Sequence, residues 1–190
     1  MQSNILNSNL TKAQQAFTNA LLGLLKEKTY SEITISELAE YAQYDRRTFY
    51  RYFKTTDDVI CSYCAVLLNE MTEIMMSKGT LTPESGFESF FEFWDRHKDF
   101  LLLLNKQGLL HFLGDLQTKL IYQQVGLSMH DDLPDNFEDV SEFSQFAFYF
   151  MLGGVWSVLS FWVSSGMKQT PSEITTHVLN SITQMAILIK

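Results

Sequence analysis

Only two cysteines occur in these 190 residues, Cys61 and Cys64, too few to staple a secreted scaffold. Their Cys-x-x-Cys spacing suits zinc or a redox pair, yet no second cysteine pair and no paired histidines accompany it, and the run around it is helical in pattern. They read as core thiols. His97, His111, His130 and His177 lie far apart with no His-x-x-x-His spacing, so no metal site is expected. No stretch alternates apolar and polar residues as a half-buried strand would. There is no Gly-x-Ser-x-Gly, no phosphate loop and no dinucleotide fingerprint, so an enzyme has no catalytic foothold and no cofactor is implied. The start, Met1 to Leu10, lacks the apolar segment of a secretory signal, which gives the expectation of a cytoplasmic protein.

Apolar and acidic residues are what the chain has in quantity. A hydrophobic content of 46% suffices for a small head of about 50 residues and a core-rich body of about 130. The formal net charge of −8 is unevenly spread: residues 1–60 hold seven Lys/Arg and seven Asp/Glu, residues 61–190 seven and fifteen. A neutral head can still meet a polyanion, whereas an acidic body is repelled by one. Asp131, Asp132, Asp135, Glu138, Asp139 and Glu142 surround Pro134 without a central glycine, so they read as a solvated loop and not a calcium site. Residues 144–167 carry no charge and are long enough to span a bilayer, so a membrane anchor has to be weighed. Gln145 and five serines within the stretch, an acidic flank before it and Lys168 alone after it favour a helix buried in an assembly instead.

Periodicity gives helices nearly throughout. Ala13, Phe17, Ala20, Leu21 and Leu24 form one stripe ending near Lys28, and a long helix follows from Asp57 to about Lys78. Thr82 and Pro83 open another helix, in which Phe87, Phe90, Phe91 and Trp94 recur at i, i+3, i+4, i+7. Helices over 99–105 and about 109–125 break near Gly108; the acidic loop 128–141 follows. The apolar helix over about 141–165 ends at Gly166, and Pro171 opens a last one with the stripe Ile174, Val178, Ile182, Met185 and Ile189.

The densest chemistry lies in Arg46-Arg47-Thr48-Phe49-Tyr50-Arg51-Tyr52-Phe53-Lys54. Phe49 and Phe53, at i and i+4, share one buried face, which leaves Arg46, Arg47, Tyr50, Arg51 and Lys54 to point elsewhere. A basic face of this kind can be merely solvated. What precedes it argues otherwise: Thr34-Ile35-Ser36-Glu37 has the form of a capping box, Ile35, Leu38, Ala39 and Ala42 give a short apolar helix, and Asp45 can cap the next. Two short helices joined by about three residues form a helix-turn-helix whose second member reads the major groove of DNA.

These residues, with Ile33 to Ala39 before and Thr55-Thr56-Asp57-Asp58-Val59 after, resemble the N-terminal domain of TetR/AcrR-type transcriptional regulators over roughly residues 10–62. The resemblance implies an all-α fold: an N-terminal three-helix helix-turn-helix DNA-binding domain, residues 1–56, and a larger C-terminal helical regulatory and dimerisation domain, residues 57–190. It implies Arg46, Arg47 and Tyr50 towards bases, Thr34, Ser36, Thr48, Tyr52, Lys54 and Thr56 towards phosphates, and Arg51 on the same basic surface. It further implies double-stranded operator DNA as partner, a homodimer through the last two helices, and release of a repressor by an effector. Two positions depart from the family, which usually carries Gly where Gln43 stands and Lys where Thr56 stands, the latter meeting a phosphate. In the body, Phe90, Trp94, Phe112, Phe148 and Trp156 are the candidate lining of a pocket for a hydrophobic effector, with an aromatic core as the alternative. A body that binds a protein partner in place of a small molecule is the rival reading, and a membrane-anchored helical protein the remaining one.

Overall fold

The computed structural model describes residues 10–79, 82–124 and 142–188, and among these the regular structure is entirely helical. Helix α1 (Lys12–Glu27) begins at a capping box in which Thr11 Oγ1 accepts from the Gln14 amide and Gln14 Oε1 accepts in return from the Thr11 amide. Its buried face is the stripe Ala13, Phe17, Ala20, Leu21, Leu24, with Leu25 beside it. A single 3-10 turn (Tyr30–Glu32) leads into α2 (Ile35–Tyr41) and α3 (Arg46–Tyr52). Helix α4 (Thr56–Ser77) packs against α1 in the head and against α5 and α7 in the body, so one rigid element belongs to both. Its buried side chains include Val59, Ile60, Cys64, Leu67 and Leu68. Among the described residues α4 is the helix long and apolar enough to cross a membrane, and core helices have this property too.

The body consists of α5 (Pro83–Arg96), α6 (Lys98–Lys106), α7 (Leu110–Gln124), α8 (Glu142–Ser164) and α9 (Pro171–Leu188). Thr82 caps α5 as expected, with Pro83 in its first turn. Helices α6 and α8 end alike. Beyond each, a glycine at positive φ (Gly108, 71°; Gly166, 87°) reverses the chain, and the next residue's amide returns to the carbonyl five residues back: Leu109 to Leu104 at 2.8 Å, Met167 to Trp162 at 2.9 Å. Helix α5 packs on α9, and α8 on α6. Gly114 of α7 meets Trp156 of α8 so closely that a Cβ would stand 2.6 Å from the indole. One hydrophobic cluster runs from Phe17 in the head through α4 to Ile174 in α9. Each fully buried Phe in it contributes about 1.5–3 kcal/mol relative to exposure.

Three features depart from the periodic reading. Helix α5 buries Phe93 completely in addition to Phe90, Phe91 and Trp94, because α4, α6 and α9 all contact it and a single stripe cannot satisfy them. The stripe of α9 is buried at Ile174 and half-buried at Val178, then open at Ile182; Met185 and Ile189 lie outside the residues whose side chains are described. Helix α8 buries Leu159, Trp162 and Val163 but exposes Phe150, Met151 and Phe161. The acidic loop 128–141 also lies outside the described residues.

Candidate nucleic-acid interface

Helix α2 starts where the capping box places it. Thr34 Oγ1 accepts from the Glu37 amide at 3.2 Å, and Glu37 Oε2 accepts from the Thr34 amide at 3.1 Å. Lys28, at the end of α1, donates to the other oxygen of the same carboxylate. That ion pair, then the Thr34 amide, hold the Glu37 carboxyl down to about 2. The end of α1 is thus tied to the first turn of the helix-turn-helix.

The turn itself is made without glycine. Gln43 adopts a φ of 58°, its amide bonds the Glu40 carbonyl at 3.0 Å, and the Tyr44 amide bonds the Ala39 carbonyl at 2.9 Å. These are the two hydrogen bonds of a Schellman ending, held at a left-handed residue whose Cβ costs about 1–2 kcal/mol there. Asp45 then caps α3, accepting from the Thr48 amide at 2.6 Å, and that bond keeps its carboxyl below the ordinary range.

Helix α3 is anchored by aromatic edges. Phe49 and Phe53 are buried against Phe17 of α1, with ring centroids 5.3 and 6.1 Å from it, and Tyr44 covers Phe17 from the turn at 5.6 Å. Arg46, Arg47, Tyr50, Arg51 and Lys54 are all exposed on the remaining surface, Tyr52 is exposed at its edge, and Thr48 is half-buried. Among the described residues none of these four cations forms an ion pair, while Lys28 does. Thr34 and Ser36 are exposed at the start of α2. Thr56, half-buried, has its hydroxyl in contact with the Tyr30 phenol at 3.0 Å. The backbone joining α3 to α4 is held by Asp58, which accepts from the Lys54 and Thr55 amides at 2.7 and 2.9 Å. A cationic face with phenols, mounted on a packed stem of phenylalanines, can enter a DNA groove and exchange its water for phosphate and base contacts.

Residues 18–60 match the family described as bacterial regulatory proteins, tetR family, and residues 82–184, more than half of the chain, match a transcriptional regulator C-terminal region of the same family. The chain belongs to the TetR family of transcriptional regulators. Its helix-turn-helix is accordingly a DNA-binding domain, and the all-α architecture of head and helical body is the family's. Among solved structures it is similar to a tetR-family transcriptional regulator from Streptomyces coelicolor, at 17% identity over 92% of this chain and 83% of that one, with a TM-score of 0.46. No significant match is found among curated proteins.

The candidate aromatic residues of the TetR-family body differ in burial. Phe90 and Trp94 of α5 are buried, with Trp94 edge-on to Phe93 at 5.0 Å and to Phe90 at 6.4 Å. Phe112 of α7 is half-buried beside His111, Trp156 is half-buried on Gly114, and the Phe148 side chain lies outside the described residues. Cys64 is fully buried and Cys61 half-buried, and burial pushes both thiols up, away from thiolate reactivity. No group of side chains suited to a metal ion occurs among the described residues. Two positions that join head and body by hydrogen bonds carry no local sequence signal, Tyr30 and Gln107. Their partners are 26 to 82 residues away, beyond the reach of helical spacing.

Proposed function

We propose that this TetR-family regulator is a homodimeric repressor that binds a pseudo-palindromic operator and leaves it when an effector acts on the helical body. The exposed cations of α3, without ion pairs among the described residues, carry this reading, because an operator phosphate or base edge offers them a strong partner. We assign Arg46, Arg47 and Tyr50 to bases, and Thr34, Ser36, Thr48, Tyr52, Lys54 and Thr56 to phosphates, with Arg51 flanking them. Helix α4, shared by head and body, supports a lever-like transmission between the two.

A body that responds to a protein instead of a small molecule is the second reading. The burial of Phe90 and Trp94 within their own aromatic cluster, together with the exposure of Phe150 and Phe161 on α8, favours it. Selection of duplexes from a random pool by the wild-type chain, followed by gel-shift titration, tests the first step. Enrichment of a two-fold related sequence is the expected result, and enrichment of none would overturn the regulator's operator reading. Titrating the selected duplex with hydrophobic compounds, read by tryptophan fluorescence and operator affinity together, separates the effector readings, since an effector must change both.

A further inference from the structure

Helix α1 ends without a glycine, and its last carbonyls need donors from elsewhere. A side chain of the body reaches two of them. Gln107, at the corner between α6 and α7, donates from Nε2 to the Leu25 carbonyl at 2.6 Å and to the Lys28 carbonyl at 3.0 Å. Its Oε1 accepts from the Tyr30 amide at 3.1 Å. One amide group thereby closes three backbone groups of the head.

Tyr30 continues the connection. Its backbone is held by Gln107, while its phenol donates its one proton to the Asp57 carboxylate and its oxygen accepts from the Thr56 hydroxyl, 3.0 Å away, both in the first turn of α4. Burial, followed by the Asp57 carboxylate, pushes this phenol up, so it stays a donor throughout the physiological range. The same turn of α4 receives the Lys54 and Thr55 amides on Asp58, at the point where the recognition helix α3 hands over to α4. A polar path therefore runs from the α6–α7 corner through Gln107 and Tyr30 to the foot of α3. The other contacts between head and body, α1 on α4 above all, are largely apolar and non-directional, and fix distance better than pitch.

We propose that Gln107 and Tyr30 are positioning residues for operator binding. They set the pitch of the recognition helix against the body, and with it the separation of the two recognition helices in a dimer. The α6–α7 corner is then the place at which a change in the body reaches the DNA-binding head. This rests on the dimeric operator-binding reading above.

The experiment uses the operator selected by the wild-type chain and a series in which one or two base pairs are added or removed between its half-sites. Each base pair changes the half-site distance by about 3.4 Å and the facing by about 35°. The wild type should prefer one spacing sharply. Gln107→Leu should bind that spacing about tenfold more weakly, bind the altered spacings within about twofold of wild type, and so lose the preference. Tyr30→Phe, which removes one oxygen and keeps the ring, should flatten the preference in the same direction and carries the test if Gln107→Leu fails to fold. A preference unchanged in the folded variants overturns the inference. So does an even loss across all spacings, which is the mark of a stability role alone. A wild type that selects no operator overturns the underlying reading instead, and this inference falls with it.

Discussion

At residue scale, the departures at Gln43 and Thr56 have different consequences. Gln43 holds the left-handed position of the helix-turn-helix by its two turn hydrogen bonds, against the steric cost of its Cβ. Gln43→Gly removes that cost and gives back part of it as unfolded-state entropy, so a net gain of about 0.5–1 kcal/mol is expected. A urea midpoint that rises with an unchanged m-value is the check. Thr56 brings a hydroxyl, already in contact with Tyr30, where the family usually has a charge, so Lys54, exposed just before α4, is the nearer source of phosphate charge. Arg47→Ala should cost about 1–3 kcal/mol per half-site and relax base preference, whereas Lys54→Ala should weaken all sequences alike and lower the salt slope by about one per half-site. Titrations of operator and scrambled duplex at several salt concentrations separate the two patterns, and wild-type behaviour of both variants would contradict the assignment.

At the scale of elements, the boundaries that the sequence discloses are those set by bonds of short reach. Thr34 with Glu37, Asp45 with Thr48, and Thr82 followed by Pro83 each place a helix start within three residues, and each stands where the pattern puts it. The 3-10 turn follows the same logic, with the Glu32 carboxylate accepting from the Thr29 amide and hydroxyl, but three residues give no apolar stripe by which to notice it. Phe93 is illegible for another reason, since its burial depends on how many neighbours surround α5 and not on its spacing within it. In the interface, the cations and the Phe49–Phe53 face were legible, while the Gln107–Tyr30 connection was not, because its hydrogen bonds close loops of 77 to 82 residues. The Lys28–Glu37 pair also couples elements, and it titrates. The Glu37 carboxyl falls from an ordinary 4.5 to about 2 in the folded chain, so the unfolded chain takes up the proton first as pH falls. Its contribution is complete above about pH 4.5 and is lost progressively towards pH 2. Glu37→Gln should therefore lower the thermal midpoint at neutral pH and flatten its decline between those limits; parallel curves for variant and wild type would rule out this role.

At the scale of the whole molecule, the head and body carry different charge and different unfinished surfaces. The acidic excess lies entirely in residues 61–190, so the body is repelled by DNA while the α3 cations are drawn to it, which orients the docking. The body's own unfinished surface is apolar. Phe150 and Phe161 on α8 are 77% and 69% exposed, Ile182 on α9 is 46% exposed, and Gly153 and Gly154 stand open between the two phenylalanines, with no described residue within 4 Å of a Cβ placed there. Burying a Phe side chain gains about 1.5–3 kcal/mol, and a two-fold axis counts every such residue twice, a gain of the same order as the cost of holding two chains together. The open glycines allow a partner helix to approach closely enough for those rings to seat. Wild type should therefore sediment as a dimer at micromolar concentration. Phe161→Glu places a carboxylate on the seam of both subunits and should shift the chain to monomer while leaving its helical circular dichroism intact. Because a monomer engages only one half-site, its operator affinity should fall to that for a single half-site and lose its dependence on half-site spacing. A Phe161→Glu chain that remains dimeric, or a wild type that is monomeric under these conditions, would exclude α8 as the dimer seam.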